Sequence, residues 1–135
     1  MWLIDFLKKK KVVLTDEQKK FNKMWDLWER EQVDSPYLEL MTYYSEINNG
    51  GHYQYFTKIE NRCDLKKELS NLEMILSKKM KSNLQKSYKA YLKLKEKEDD
   101  EEIEEIIENC DNVFYENEEE INKILKEYAF KIELE

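Results

Sequence analysis

The sequence predicts an all-α fold, a single compact domain of about six or seven helices, and three observations carry that prediction. Two glycines and one proline in 135 residues are too few breakers for a many-turned β-sandwich. Apolar residues recur at i, i+3, i+4 and i+7 in one segment after another. Capping signatures stand ahead of several of those segments. A chain of this length buries about two-thirds of the surface its unfolded form exposes, enough for one core without disulfide or metal support. The division expected within residues 1–135 is an arm or short helix over 1–14, a helical body, a charged connector over 95–102, and acidic C-terminal helices over 103–135.

The elements follow in chain order. Met1-Trp2-Leu3-Ile4-Asp5-Phe6-Leu7 precedes Lys8 to Lys11, the reverse of the charge order in a signal peptide. One such segment binds an anionic surface weakly, so no stable membrane anchoring is expected. No run approaches the ~20 apolar residues of a membrane span. Thr15-Asp16-Glu17-Gln18 fits a capping box, and Phe21, Met24, Trp25 and Trp28 form the apolar stripe of the helix behind it, ending near Gln32. Ser35-Pro36 predicts a restart, with serine as N-cap and proline at the first helical position. Tyr37, Leu38, Met41, Tyr44 and Ile47 are its inner face.

Asn48-Asn49-Gly50-Gly51 interrupts that helix, because asparagine and glycine tolerate the left-handed backbone of a sharp turn. A short aromatic helix, Tyr53 to Ile59, comes next. Asp64 caps another helix with Leu65, Leu69, Leu72, Ile75 and Leu76 on one face. Ser82-Asn83-Leu84-Gln85 reads as a second capping box before Leu84, Tyr88, Tyr91 and Leu92. Beyond the connector, Ile103, Ile106, Ile107 and Cys110 repeat at helical spacing. A last helix, carrying Ile121, Leu125, Tyr128 and Ile132, follows Asp111-Asn112-Val113-Phe114-Tyr115.

Charge is divided unevenly along this chain. Residues 1–95 hold 19 basic and 13 acidic side chains, a balance of +6, whereas residues 96–135 hold 4 and 17, a balance of −13. From Glu96 to Glu120, 14 of 25 residues are acidic and only Lys97 is basic. With the isoleucines turned inward, Glu101, Glu102, Glu104, Glu105 and Glu108 project outward, neighbours about 5–6 Å apart. Charge runs usually end as solvated faces. The sharper reading is a surface that attracts a basic partner, with Glu98, Asp99, Asp100, Glu101, Glu102, Glu104, Glu105 and Glu108 as the binding residues. Direct nucleic-acid binding is not expected, since the basic residues of the first half are scattered and form no recognition motif.

Catalytic and metal chemistry find little support. Cys63 and Cys110, 47 positions apart, read as free thiols of a reducing cytoplasm. His52 is the sole histidine, expected as a packed imidazole rather than a partner of either thiol. Three His/Cys side chains are too few for a zinc site. The acidic run lacks the alternation and glycine of a calcium loop, and no Glu-x-x-His pair or phosphate-cradling glycine loop is present. No metal, cofactor or enzymatic activity is therefore expected.

Glu46-Ile47-Asn48-Asn49-Gly50-Gly51-His52-Tyr53-Gln54-Tyr55-Phe56 resembles the signature of the bacterial DNA-mimic protein 19 family. That signature has an acidic residue, Asn-Gly-Gly, an aromatic, then Gln-aromatic-Phe and a nearby Asn. Glu46, Asn49, Gly50, Gly51, Gln54 and Phe56 fill matching positions. His52 stands where an aromatic is common, and Lys58 near the family's Asn. Asp111-Asn112-Val113-Phe114-Tyr115 is similar to the family's Asp-x-x-Phe-Tyr segment, with Asp111 and Phe114 matching. The resemblance spans roughly residues 17–130. It implies an all-helical fold without known enzymatic activity, and a non-enzymatic acidic protein that binds a basic DNA-binding protein in place of DNA.

Physically, the first motif reads as architecture. The glycines let two helices meet tightly, and Glu46, Asn49 and Gln54 satisfy backbone groups left by the break. The sequence leaves two alternatives open. One is an immunity-type inhibitor of a basic toxin or nuclease; another is a small-ligand binder using the Asn-Gly-Gly corner. Trp25, Trp28 and the tyrosines leave enough aromatic surface for a homodimer.

Overall fold

The computed structural model describes residues 13–134, so residues 1–12 of the expected terminal arm, its lysines among them, lie outside the described residues. Six helices occupy the described chain: α1 (Asp16–Glu29), α2 (Tyr37–Arg62), α3 (Leu65–Glu73), α4 (Lys78–Glu96), α5 (Glu101–Glu116) and α6 (Glu118–Phe130). No strand occurs among the described residues. The all-α expectation holds.

Local chemistry accounts for most boundaries. Thr15 caps α1 through the full reciprocal box with Gln18, at 3.1 and 2.9 Å. Asp64 and Asp100 cap α3 and α5 through backbone N–H groups of the first turn. Two start sites differ from expectation. Pro36, not Ser35, occupies the N-cap of α2, because the Ser35 hydroxyl donates instead to the Glu39 carboxylate at 2.8 Å. α4 begins a turn before Ser82: Ser77 accepts from the Met80 N–H at 3.2 Å, leaving the Ser82-to-Gln85 pattern inside the helix.

Other boundaries shift as well. α3 stops at Glu73, so Ile75 and Leu76 pack from beyond its end. The connector shrinks to residues 97–100, and α5 runs unbroken through Asp111 and Tyr115. Leu92 and Ile106, expected inside, are 43% and 37% exposed.

α2 is the central element, touching α3, α4, α5 and α6; α4 packs along α5, and α1 along α6. The core is built on aromatic rings. Tyr43 meets Tyr55 at 5.1 Å and Phe114 at 5.3 Å, both edge to face, and Phe56 packs 5.2 Å from Tyr91. Such pairs contribute about 0.5–1.5 kcal/mol beyond their burial. A satellite cluster of Ala90, Leu94, Ile107 and Ile103 seals the α4–α5 seam. The Lys20 and Lys23 ammonium groups of α1 donate to the carbonyls of Phe130 and Glu133, each at 2.8 Å, at the negative end of α6.

The break in α2 is a single residue. Gly51 has φ +80° and ψ −178°, a backbone region essentially closed to other residues. Helical geometry resumes at His52 and continues to Arg62, longer than the expected Tyr53–Ile59 segment. A Cβ on Gly51 would stand 2.5 Å from Oδ2 of Asp111. On Gly50 it would meet only the far end of the flexible Gln54 side chain. Gly51→Ala is therefore expected to cost about 1–3 kcal/mol in chemical denaturation, and Gly50→Ala less than about 1 kcal/mol. Equal losses would show that the conformation of Gly51 does not set the break.

Candidate functional site

A broken helix leaves N–H groups on one side and carbonyls on the other without partners. At the break in α2 both sets are met by α5. The Asp111 carboxylate accepts the His52 backbone N–H at 2.8 Å, and the Tyr115 hydroxyl, one turn on, donates to the Ile47 carbonyl at 3.0 Å. Phe114, fully buried, inserts between them against Tyr43. The expected caps behave differently. Gln54 approaches Glu46 at 3.5 Å and Lys58 pairs with Glu46 at 3.1 Å, bracing the two halves of α2 rather than capping them. Asn49 is exposed on the surface.

His52 has no exposed surface. Its Nδ1 lies 2.5 Å from Asp111 Oδ1 and its Nε2 lies 2.6 Å from the Tyr43 hydroxyl. The network assigns the proton to Nδ1, donated to Asp111, with Nε2 accepting from Tyr43. Burial, and then the charge of Asp111, pushes the Tyr43 hydroxyl well above its ordinary range, so it stays a donor. The Tyr43–His52–Asp111 chain is thus a satisfied, buried network that holds the corner. Neither thiol is part of it: Cys63 is exposed, Cys110 is buried, and both are free.

Asp111 also has a second face. It lies at the floor of an open groove of about 810 Å³ between the 52–62 half of α2, the end of α4, the connector and α5. Glu98, Asp99, Glu104 and Glu108 line it, with Tyr53 and Tyr91 on the opposite wall. Lys95 is the one lysine of that lining, and it is engaged with Glu60. The Lys95 and Tyr91 hydrogen bonds hold the Glu60 carboxyl below its usual range. Glu104, Glu108 and Asp111, at i, i+4 and i+7 on α5, give the groove a strongly negative wall.

The eight acids singled out by sequence therefore divide three ways. Glu98, Asp99, Glu104 and Glu108 face the groove. Glu101, Glu102 and Glu105 are exposed elsewhere on α5. Asp100 is committed to capping, accepting from the N–H groups of Glu102 and Ile103 at 3.0 and 3.2 Å. Among the described residues, Asp100 is the only one of the eight in an ion pair, with Lys97 at 3.7 Å. Sequence reasoning missed the pairing of the corner with Asp111 and Tyr115, although the i, i+3, i+4 spacing of Asp111, Phe114 and Tyr115 placed all three on one helical face. It also missed Glu60, Tyr53 and Tyr91 as groove residues. No group of three or more His, Cys, Asp or Glu side chains is placed to hold a metal among the described residues.

The two motifs that touch at the corner are the two that resemble one family. A family model described as DMP19-like protein matches residues 31–133. The chain belongs to the DMP19-like protein family. Neither a curated protein nor a solved structure matches it. The matched stretch of this DMP19-like chain includes the broken helix, the groove and the whole of α5.

Removing the Asp111 carboxylate strands two buried donors of His52, whereas removing the Tyr43 hydroxyl strands one acceptor. Asp111→Ala is expected to cost about 2–4 kcal/mol and Tyr43→Phe about 1–2 kcal/mol, measured by urea unfolding. A Tyr43→Phe loss equal to that of Asp111→Ala would place the weight of the network on the phenol instead.

Proposed function

We propose that this protein is a non-enzymatic, cytoplasmic interaction protein that presents the acids of α5 and of the adjoining groove to a basic protein surface. The partner class that fits is a DNA-binding protein, a regulator or a nuclease, whose basic face would otherwise meet nucleic acid. The observation that carries this reading is the row of acids on α5 that are exposed and, among the described residues, not ion-paired. Membership of the DMP19-like family is consistent with it.

Part of the acidity has a local explanation. Glu101, Glu102 and Glu104 lie in the first turn of α5, and Glu118, Glu119 and Glu120 in that of α6, where the positive end of the helix dipole favours them. Glu105 and Glu108 lie beyond that turn, where the dipole offers them little. Repulsion among such neighbours opposes folding, and a basic partner would relieve it. The corner side chains are committed to one another, which favours the acidic face over the Asn-Gly-Gly corner as the contact region.

Capture of partners from the native cytoplasm at low and high salt tests the proposal. A charge-driven partner is retained at low salt and released as ionic strength rises. Glu104→Gln/Glu105→Gln/Glu108→Gln, which keeps shape and removes three charges, is expected to weaken that partner at least tenfold. A captured partner that binds the triple variant undiminished would refute the acidic-surface reading. A captured nuclease rather than a regulator would identify the inhibitor form of the same chemistry.

A further inference from the structure

Where α1 runs beside α6, a small pocket of about 220 Å³ opens in the seam. Glu17, Gln18 and Phe21 of α1 line one side, and Lys126, Ala129 and Phe130 of α6 the other. Phe130 ends its helix 70% exposed, at the edge of this pocket. Lys20 donates to the Phe130 carbonyl at 2.8 Å, and its ammonium lies 4.9 Å from the centre of the same ring. One lysine of α1 thus holds the α6 wall in place, so the pocket stands preformed. Exposed apolar surface next to a cavity marks a contact site.

The chain carries a fitting occupant close at hand. It reaches α1 through Val13, 84% exposed, two positions before the Thr15 cap. Apart from Asp5, residues 1–7 are apolar throughout, and Leu3, Phe6 and Leu7 repeat at i, i+3, i+4. Leu7 stands eight residues before Thr15, a reach of up to about 26–29 Å. The α1 side of the pocket lies within seven residues of that cap, about 10 Å along the helix axis. A tether this short gives an attached segment an effective concentration on the order of millimolar, above that of a partner arriving from solution.

We propose that residues 2–7 fold back on the α1–α6 seam, with the Phe6 ring seated in the pocket against Phe21 and Phe130. Phe6 is the aromatic residue nearest the tether, and ring-on-ring contact adds to the burial. Lys8 to Lys11 form the return and keep their charges in water. The contact closes the first residues of the chain over its last helix. It is independent of the acidic surface, since no described residue of α1 or α6 lines the groove beside α5. A second copy of the chain and an anionic membrane surface are the competing explanations.

Methyl-labelled NMR of the full-length chain tests the contact. The Ala129 methyl protons should show cross-relaxation to the Phe6 ring, unchanged on dilution and at high salt. In samples mixing labelled and unlabelled copies, a cross-peak between copies assigns the pocket to a second chain and overturns the proposal. Phe6→Ser and Phe130→Ser should each raise the unfolding constant by roughly tenfold. The double variant should raise it by clearly less than the product, because both changes remove one contact. Multiplicative effects overturn the proposal, as does a Phe6→Ser protein as stable as the wild type. A wild-type protein that binds phosphatidylserine vesicles but shows no Ala129 cross-peak to residues 2–7 assigns the segment to a membrane surface and overturns it too. The cross-relaxation result stands without the variants should either fail to fold.

Discussion

The carboxylate of Asp111 is the contact on which both halves of α2 depend. A buried interruption in a helix is tolerable only when its stranded backbone groups find partners. Here those partners come from residues of α5 that lie 59 and 68 positions further along the chain. Asp111 takes the His52 N–H, Tyr115 serves the Ile47 carbonyl, and Phe114 fills the space between. Gly51 is required twice, for its backbone angles and for the room it leaves the carboxylate. The imidazole of His52 then carries the same network inward to Tyr43 and the aromatic core.

How much of this was legible in the sequence depends on whether the cause was local. Thr15 and Asp64 announced helix starts because a cap is a contact within three or four residues. The stripe of Phe21, Met24, Trp25 and Trp28 announced a buried face for the same reason. Ser35 and Ser82 misled because a short motif does not reveal competing bonds: Glu39 draws the first hydroxyl, and Ser77 opens the helix before the second. The cap at the helix break was invisible to local pattern, since its donor and acceptor are separated by dozens of residues. The exposed acids of α5 were readable from periodicity. Their gathering with Glu98 and Asp99 around a groove needed the fold.

The position of the charge explains how an overall value of −7 hides two opposed surfaces. The basic excess of the first 95 residues gathers largely on α4, where Lys78, Lys79, Lys81, Lys86, Lys89 and Lys93 are all exposed. The acidic excess gathers on the neighbouring α5. Asn83 ties the two helices by donating to the Cys110 carbonyl at 2.9 Å, and the Ala90–Leu94–Ile107 cluster seals them. Opposite charge along adjacent helices moderates repulsion within each and leaves the outer face of α5 strongly negative.

The lysine contacts between α1 and α6 bear on the order of assembly. Each joins residues 110 positions apart, the longest closures among the side-chain hydrogen bonds of the described chain. Closing so long a loop is entropically expensive, and contacts of this kind slow folding. During synthesis, the stripe of Phe21, Trp25 and Trp28 exists long before Ala129 and Phe130 do. Trp25 and Trp28 can pack early on Tyr44 and Thr42 of α2, but the side of the stripe around Phe21, which meets Ala129 and Phe130, stays uncovered until α6 has left the ribosome, and that makes the nascent chain a client for hydrophobic capture until then.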